Sequence, residues 1–536
     1  QDVRERKGAF FTPQIWVERS QSYLANYLGE NWQDEYYIWD CCAGTGNLLN
    51  GLTNKYHIFA STLDQQDVDV MRERIRNGAN LLDRHVFQFD FLNDDFTSEK
   101  VPEKLREIIS DENLRQKLII YINPPYSEPS SYGGGSKPQV ANLTKTFKRF
   151  NGVIGSEALQ ELYAQFFIRV SNDLPGATLA TFSTPKFITS QKFDKFKQNF
   201  KAKFRKGFAC KANSFDNVDG LFPIGFYILS LDNSSVIQKV ALDVYDNDKS
   251  LAKYTKIGKK TFSSVVGKSI GEWRKTFYDE ASTPIGYAII VGPSMQSNNN
   301  TFFTSDPAQS YVKKGMVAKI TAANVIEFSI YLAIRQCVEA TWINDKDNYL
   351  FPSNKWKKDN VFQTSCLVYS LFHSQNRITS RAGTPTQPYG KIANHWIPFS
   401  ENEVDAKEEF SSHFMHDFLN GKIKVEKKND GLFADTCRDG ASPHPYGGQL
   451  QFTETAQSVL AAGREVWKYY FTMADANPNA SLYDIKEYFQ GRNEKGKMNA
   501  TSNDTVYNEL MERLKNCLRL LGEEIKPKVY EYGFLN

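Results

Sequence analysis

Asn123-Pro124-Pro125-Tyr126 follows directly on the apolar run Leu118-Ile119-Ile120-Tyr121-Ile122, and its atoms can do chemistry. The Asn123 amide oxygen and the Pro124 carbonyl are two acceptors on a stiff backbone, suited to gripping both hydrogens of a flat amino group. Tyr126 offers a face on which a planar base can stack. An exocyclic amine on an aromatic ring is a poor nucleophile because its lone pair is delocalised. Acceptors that favour a tetrahedral nitrogen release that lone pair, most strongly in the transition state. The bland alternative is a Pro-Pro strand terminator with a capping Asn, so the tetrapeptide needs company.

The run before it reads as a buried strand. Two prolines cannot continue a ladder, so the strand stops and presents Asn123 and Tyr126 at its carboxyl end, where ligands sit in open α/β sheets. Upstream, Tyr36-Tyr37-Ile38-Trp39-Asp40 reads as a strand, Cys41-Cys42-Ala43-Gly44-Thr45-Gly46 as a turn, and Asn47-Leu48-Leu49 as a helix start. The glycines permit a tight turn and close approach of a ligand, and Asp40 can accept from a cationic or hydroxyl group. The third glycine of the dinucleotide fingerprint is missing, so the turn alone is a weak signal. Ile58 to Asp64 reads as the second strand, ending in an acid about 20 residues past the turn, where a carboxylate meets ribose hydroxyls. Asp67 and Asp69 compete for that role. His85 to Phe89 reads as the third strand, followed by Asp90 and Phe91. The acid could take an adenine amino hydrogen and the ring a purine face, or the pair could be an N-cap and a core Phe. Ahead of all these, Thr12 is placed as an N-cap and Pro13 as the first residue of a helix reaching about Gly29.

Phe11-Thr12-Pro13, Asp40 to Gly46, Asp64, Asp90-Phe91 and Asn123 to Tyr126 occur in the order and with the spacing of the gamma-class adenine-N6 DNA methyltransferases of the restriction-modification type. The sequence resembles that family from about residue 6 to 235. The resemblance implies an α/β, Rossmann-like S-adenosylmethionine-dependent methyltransferase domain, with a target adenine flipped out of double-stranded DNA into the Asn-Pro-Pro-Tyr pocket. It implies that Phe11, Thr12 and Pro13 hold the methionine end of S-adenosylmethionine and that Asp40, Cys42, Gly44 and Gly46 form its turn. Asp64 would meet the ribose, and Asp90 with Phe91 the adenine. Catalysis would fall to Asn123, Pro124, Pro125 and Tyr126. In the family an aromatic residue between two later strands packs on the flipped base. Phe222, before Pro223, matches best and Phe215 second, and either also suits a hairpin core.

The net charge of +3 says little about partners, but its distribution says more. Nine basic residues against Asp194 alone lie between Lys186 and Lys211. Lys186, Lys192, Lys197, Lys201 and Lys203 are the candidates for DNA phosphates, against the commoner reading of solvated faces. Phe193, Phe196, Phe200 and Phe204, interleaved with them, read as core. Ser127 to Pro138, with three glycines, reads as a mobile loop. Beyond 235 a mixed α/β target-recognition region is expected over 236–400 and a mainly helical region over 401–536, with an apolar helix around Ala323 to Ala340 and long helices after Thr455. Together these make a C-terminal DNA-recognition region.

Seven cysteines without paired spacing and no apolar stretch of spanning length point to a soluble, cytoplasmic protein. No signal peptide is visible. The chain begins at Gln1, not Met, an opening that leaves an N-terminal domain to be looked for upstream. His413, His416 and Asp417 lack a fourth metal ligand. Asp417 with Glu426 and Lys428 has only the outline of a nuclease set, and no metal is expected. The expected partner beyond DNA is a restriction endonuclease or another defence-system subunit. Two rivals stay open: a methyltransferase acting on RNA or on protein glutamine, and a methyltransferase-fold specificity subunit that needs a partner to act.

Overall fold

Short apolar runs separated by helical patterns lay parallel strands side by side, and the computed structural model of this protein does so. It describes residues 11–126, 140–215, 218, 220–232, 235–248, 253–264, 268–380, 393–425 and 449–536. Ser127 to Pro138, and Glu426 and Lys428, lie outside these. The residues group into two compact units, Gln1–Val266 and Gly267–Asn536.

The first unit is built on one sheet: β1 (Tyr37–Asp40), β2 (Ile58–Thr62), β3 (Val86–Gln88), β4 (Leu118–Ile122), β5 (Thr178–Ser183), β6 (Lys203–Lys211), β7 (Pro223–Ser230), β8 (Lys239–Asp248) and β9 (Lys253–Ser263). Their order is β3-β2-β1-β4-β5-β7-β6-β8-β9. β1 to β5 pair in parallel. β7 runs antiparallel to both β5 and β6. All five residues of β4 are buried, because helices cover both faces of a parallel sheet and leave no polar side. The first seven strands, in the order 3-2-1-4-5-7-6 with the seventh reversed, form the Rossmann-like methyltransferase fold that the sequence implies.

Helix α1 (Gln14–Leu28) ends at Gly29, whose φ of 101° suits a glycine terminator. Its start differs from the expectation. Pro13, not Thr12, is the N-cap, and no side chain caps the helix. The Gly turn after β1 leads into a single 3-10 turn, Asn47–Leu49, rather than a full helix. Helix α2 (Gln65–Arg76) follows β2, and α3 (Leu162–Asp173), with nine of its residues buried, packs between β4 and β5 in sequence.

β8 and β9 extend the sheet through a parallel β6–β8 pairing and an antiparallel β8–β9 pairing. The compact first unit therefore runs past 235. In the second unit, β10 (Gly286–Ile289), β11 (Phe302–Thr304), β12 (Val317–Ile320) and β13 (Asn376–Arg377) form a sheet ordered β12-β10-β11-β13. It shares one core with α4 (Val325–Gln336), α5 (Asn360–Phe372), α6 (Glu454–Tyr470), α7 (Leu482–Gln490) and α8 (Thr505–Glu531). α4 and α5 are buried almost all round, as helices with no polar face must be. Residues on both sides of 400 share this core, so the structure has no division there corresponding to the one read from sequence. Among the described residues no helix is long and apolar enough to cross a membrane.

Candidate active site at the carboxyl edge of the first sheet

The central strand β4 stops at Asn123, as two prolines require, and the Asn123 side chain is tied at both ends. Its Nδ2 donates to Thr12 Oγ1 at 2.9 Å. Its Oδ1 accepts from the Tyr126 hydroxyl at 2.5 Å. The amide is thus oriented with its nitrogen toward Thr12 and its oxygen toward Tyr126, an orientation in which each end meets a compatible partner. The Asn123 backbone N–H points at the Cys42 thiol. The tetrapeptide is thus joined to the segment before α1 and to the Gly turn. Pro124 is buried, Pro125 partly buried, and the partly buried Tyr126 packs against the core beneath the edge. Desolvation, with Cys210, Cys42 and Tyr227 nearby, raises the Tyr126 phenol well above its ordinary range and keeps it protonated.

One strand away, Asp40 ends β1 with 1% of its surface exposed. Its Oδ1 accepts from the Cys42 N–H at 3.1 Å. Burial pushes its pKa up to about 7. Among the described residues no lysine or arginine forms a salt bridge with it, so the carboxylate suits an incoming cation. Gly44 and Gly46 adopt φ of 53° and 82°, where glycine is favoured. Among the described residues, a Cβ on Gly44 would meet nothing within 4 Å.

Because β1 to β4 run parallel, Asp40, Asp64, Asp90 and Asn123 all stand at one edge of the sheet. From β3 to β4 is three strand spacings, about 14 Å, room for an extended ligand lying across the strand ends. Asp64 precedes α2 without capping it through its side chain. Asp90 accepts from the Leu92 N–H at 3.1 Å and from Asn93 Nδ2 at 2.7 Å, so it organises its own turn. Phe11 is partly buried, and Thr12 is 6% exposed.

Phe91 does not present an open face. It is 3% exposed and stacks on Phe166 at 5.1 Å with 5° between the planes. Trp39 and Phe96 crowd its edges, and Arg169 donates to its carbonyl. Of the two aromatic candidates after β6, Phe215 is a core residue, 2% exposed. Phe222 is partly exposed just before β7, with its ring folded over Gly220.

The basic stretch does not stay together. Lys197 is 7% exposed, and its Nζ bonds Asp194 at 2.6 Å and Ser264 Oγ at 2.8 Å. It is an internal strut and unsuited to a phosphate. Lys186, just past the carboxyl end of β5, pairs at 2.6 Å with Glu161, a residue 4% exposed. Lys192 is exposed. Lys201 and Lys203 are exposed too, but at the amino end of β6, which runs parallel to β4. They therefore lie at the edge opposite Asn123, about 26 Å of strand away from Lys211 at the far end of β6.

The Thr12–Asn123 and Cys42–Asn123 contacts escaped the sequence. They join residues far apart in the chain, and no spacing rule reports them. In the second unit, His413 pairs with Glu401 at 2.7 Å and His416 with Asp417 at 3.2 Å.

No family model matches this sequence, and no curated protein matches it. Among solved structures the chain is similar to the Type IIL restriction-modification enzyme MmeI in complex with DNA, with TM-score 0.36 and 10% identity over 99% of this chain and 80% of that one. It is similar to DrdV in a DNA complex, with TM-score 0.36 and 14% identity over 63% and 40%. It is also similar to a nuclease-deletion mutant of the Type ISP restriction-modification enzyme LlaGI with a DNA substrate mimic, with TM-score 0.34 and 14% identity over 60% and 32%. The chain thus spans 40% of the length of DrdV and 32% of that of the LlaGI mutant.

Proposed function

We propose that this chain is an S-adenosylmethionine-dependent DNA methyltransferase that modifies N6 of adenine, of the restriction-modification type. The observation that carries the reading is the Asn123 carboxamide, held at the carboxyl end of β4 with its oxygen outward from Thr12, one strand from the Asp40 turn. The edge fits the cofactor. Asp40 would take its ammonium, the Gly44–Gly46 turn its methionine portion, Asp64 its ribose hydroxyls and Asp90 its adenine. When bound, S-adenosylmethionine supplies an electrophilic methyl group on a sulfonium.

The chain's own residues then prepare the nucleophile. An adenine extruded from duplex DNA costs roughly a few kcal/mol of unstacking. Asn123 Oδ1 and the Pro124 carbonyl each accept one N6 hydrogen, drawing the nitrogen toward a tetrahedral geometry and localising its lone pair. For the base to enter, the Tyr126 hydroxyl yields Asn123 Oδ1 and its ring becomes the stacking face. Phe222, partly exposed just before β7, would close on the base from the hairpin side. Positioning supplies much of the rate. Double-stranded DNA is the proposed substrate, and a restriction endonuclease or other defence-system subunit the proposed partner.

The test is transfer from methyl-labelled S-adenosylmethionine to unmethylated genomic DNA, followed by nucleoside analysis. N6-methyladenine at a recurrent sequence is expected. Label confined to cytosine, RNA or protein glutamine contradicts the proposal.

A further inference from the structure

We infer that Thr12 is a positioning residue for Asn123, acting on the amide that grips the base and not on the methionine end of the cofactor. The inference rests on the proposed role of Asn123. A carboxamide can sit in two orientations related by a half-turn, and only one aims the oxygen at an incoming amine. Thr12 Oγ1 takes the Nδ2 end at 2.9 Å and so leaves Oδ1 as the outward acceptor. Loading the amide nitrogen with a donated hydrogen bond also polarises the group and strengthens the oxygen as an acceptor.

Thr12 suits this task because its side chain is not the cap of α1. Pro13 is the N-cap, and its carbonyl accepts from the Trp16 and Val17 N–H groups at 2.9 and 3.1 Å. Trp16 is fully buried and donates to Ser214 Oγ at 2.9 Å, which anchors the helix start. The hydroxyl of Thr12, 6% exposed, is thereby fixed on a rigid element beside β4. The branched Cβ also restricts χ1.

The full chain is compared with Thr12→Val, which keeps the shape and loses the hydroxyl, and Thr12→Ser, which keeps the hydroxyl. Three readouts are taken: calorimetric affinity for S-adenosylmethionine, kcat for methyl transfer to unmethylated genomic DNA, and solvent exchange of the Asn123 side-chain amide. The last uses 15N-asparagine-labelled protein, with the resonance assigned by its loss in Asn123→Asp. Thr12→Val should lower kcat about 100-fold, leave cofactor affinity within about threefold, and expose the Asn123 amide to exchange. Thr12→Ser should restore both rate and protection. A Thr12→Val protein that loses cofactor affinity at unchanged kcat makes Thr12 a cofactor ligand and overturns the inference. So does an Asn123 amide equally protected with and without the hydroxyl. Wild-type protein that makes no N6-methyladenine refutes the proposed function instead, while the exchange measurement still decides whether Thr12 holds Asn123.

Discussion

The carboxyl ends of β1 to β4 gather Asp40, Asp64, Asp90 and Asn123 on one edge of the sheet, whereas the basic stretch from Lys186 to Lys211 is scattered from that edge to the opposite one. Both looked like functional clusters in sequence. They differ in what holds them. A residue at the end of a parallel strand is placed by the topology of the whole sheet, so four such residues from distant parts of the chain must converge. A run of lysines is placed by whatever local element it falls on. Here it crosses two short helices, a 3-10 turn and a strand, and one of its members becomes an internal strut.

The largest expected effect lies at the edge. Asn123→Ala should cut kcat by at least about 1,000-fold while S-adenosylmethionine affinity, measured by calorimetry, stays within a few-fold. Near-normal turnover would remove Asn123 from the chemistry and dissolve the comparison.

Asp40→Asn should weaken cofactor binding by about 100-fold, the worth of a charge-assisted hydrogen bond in a buried site. The wild-type affinity should also tighten as pH rises through about 7, because only the ionised carboxylate attracts an ammonium. Stability without cofactor runs the other way. A pKa raised from 3.8 to about 7 in the folded state means the native protein binds the extra proton between those values. Stability is therefore fullest below about pH 4 as far as this group is concerned, and falls as pH climbs to about 7. The loss is of order 4 kcal/mol, and Asp40→Asn should abolish it. Urea melts at pH 5 and 8 would read the difference, and a wild-type protein indifferent to pH over this range would contradict the buried, uncompensated carboxylate.

Smaller effects mark the scattered region. Lys197→Ala should cost about 1 kcal/mol of stability through the lost packing of its buried stem and the lost bonds to Asp194, Ser264 Oγ and the buried Ile188 carbonyl, with no change in the salt dependence of DNA binding. Lys201→Ala and Lys203→Ala should change DNA affinity by less than about twofold and leave its salt slope intact. A slope reduced by about one per lysine would bring the amino edge of β6 into the DNA interface and erase the distinction drawn here.

The strands that position the site were readable from their own residues. Leu118 to Ile122 is entirely apolar and is ended by two prolines, and Asp40 stands between a strand and a two-glycine turn. The strands followed from those runs, and the resemblance carried by the motifs at their ends implied the fold. Legibility stopped where side chains choose partners. Thr12 looked like a helix cap because Ser and Thr before a helix usually are, yet Pro13 takes the cap and Thr12 reaches Asn123 instead. Phe91 follows an acid at a strand end, a pattern shared by ligand platforms and core residues, and the aromatic cluster around Trp39 and Phe166 decides for the core. Phe222 ranks ahead of Phe215 by its place before Pro223, yet either also suits a hairpin core, and only the structure shows that Phe215 is core while Phe222 is partly exposed. The sheet runs past 235 because β8 and β9 join it, and these read as a new region because the edge strand β9 carries Lys253, Lys256, Lys259 and Lys260, as edge strands tend to.

The most direct test of the convergence at the carboxyl edge is a crystal structure of the chain with sinefungin, an S-adenosylmethionine analogue. The account predicts the ligand laid across the ends of β1 to β3, its ammonium on Asp40 and its backbone over Gly44. A cavity of about 450 Å³ is lined by Thr45 and Gly46 of the same turn together with Asn50, Arg74 and Asn80 among others, and Asp40 and Gly44 do not line it. Sinefungin bound there, or anywhere away from Asp40, would contradict the account.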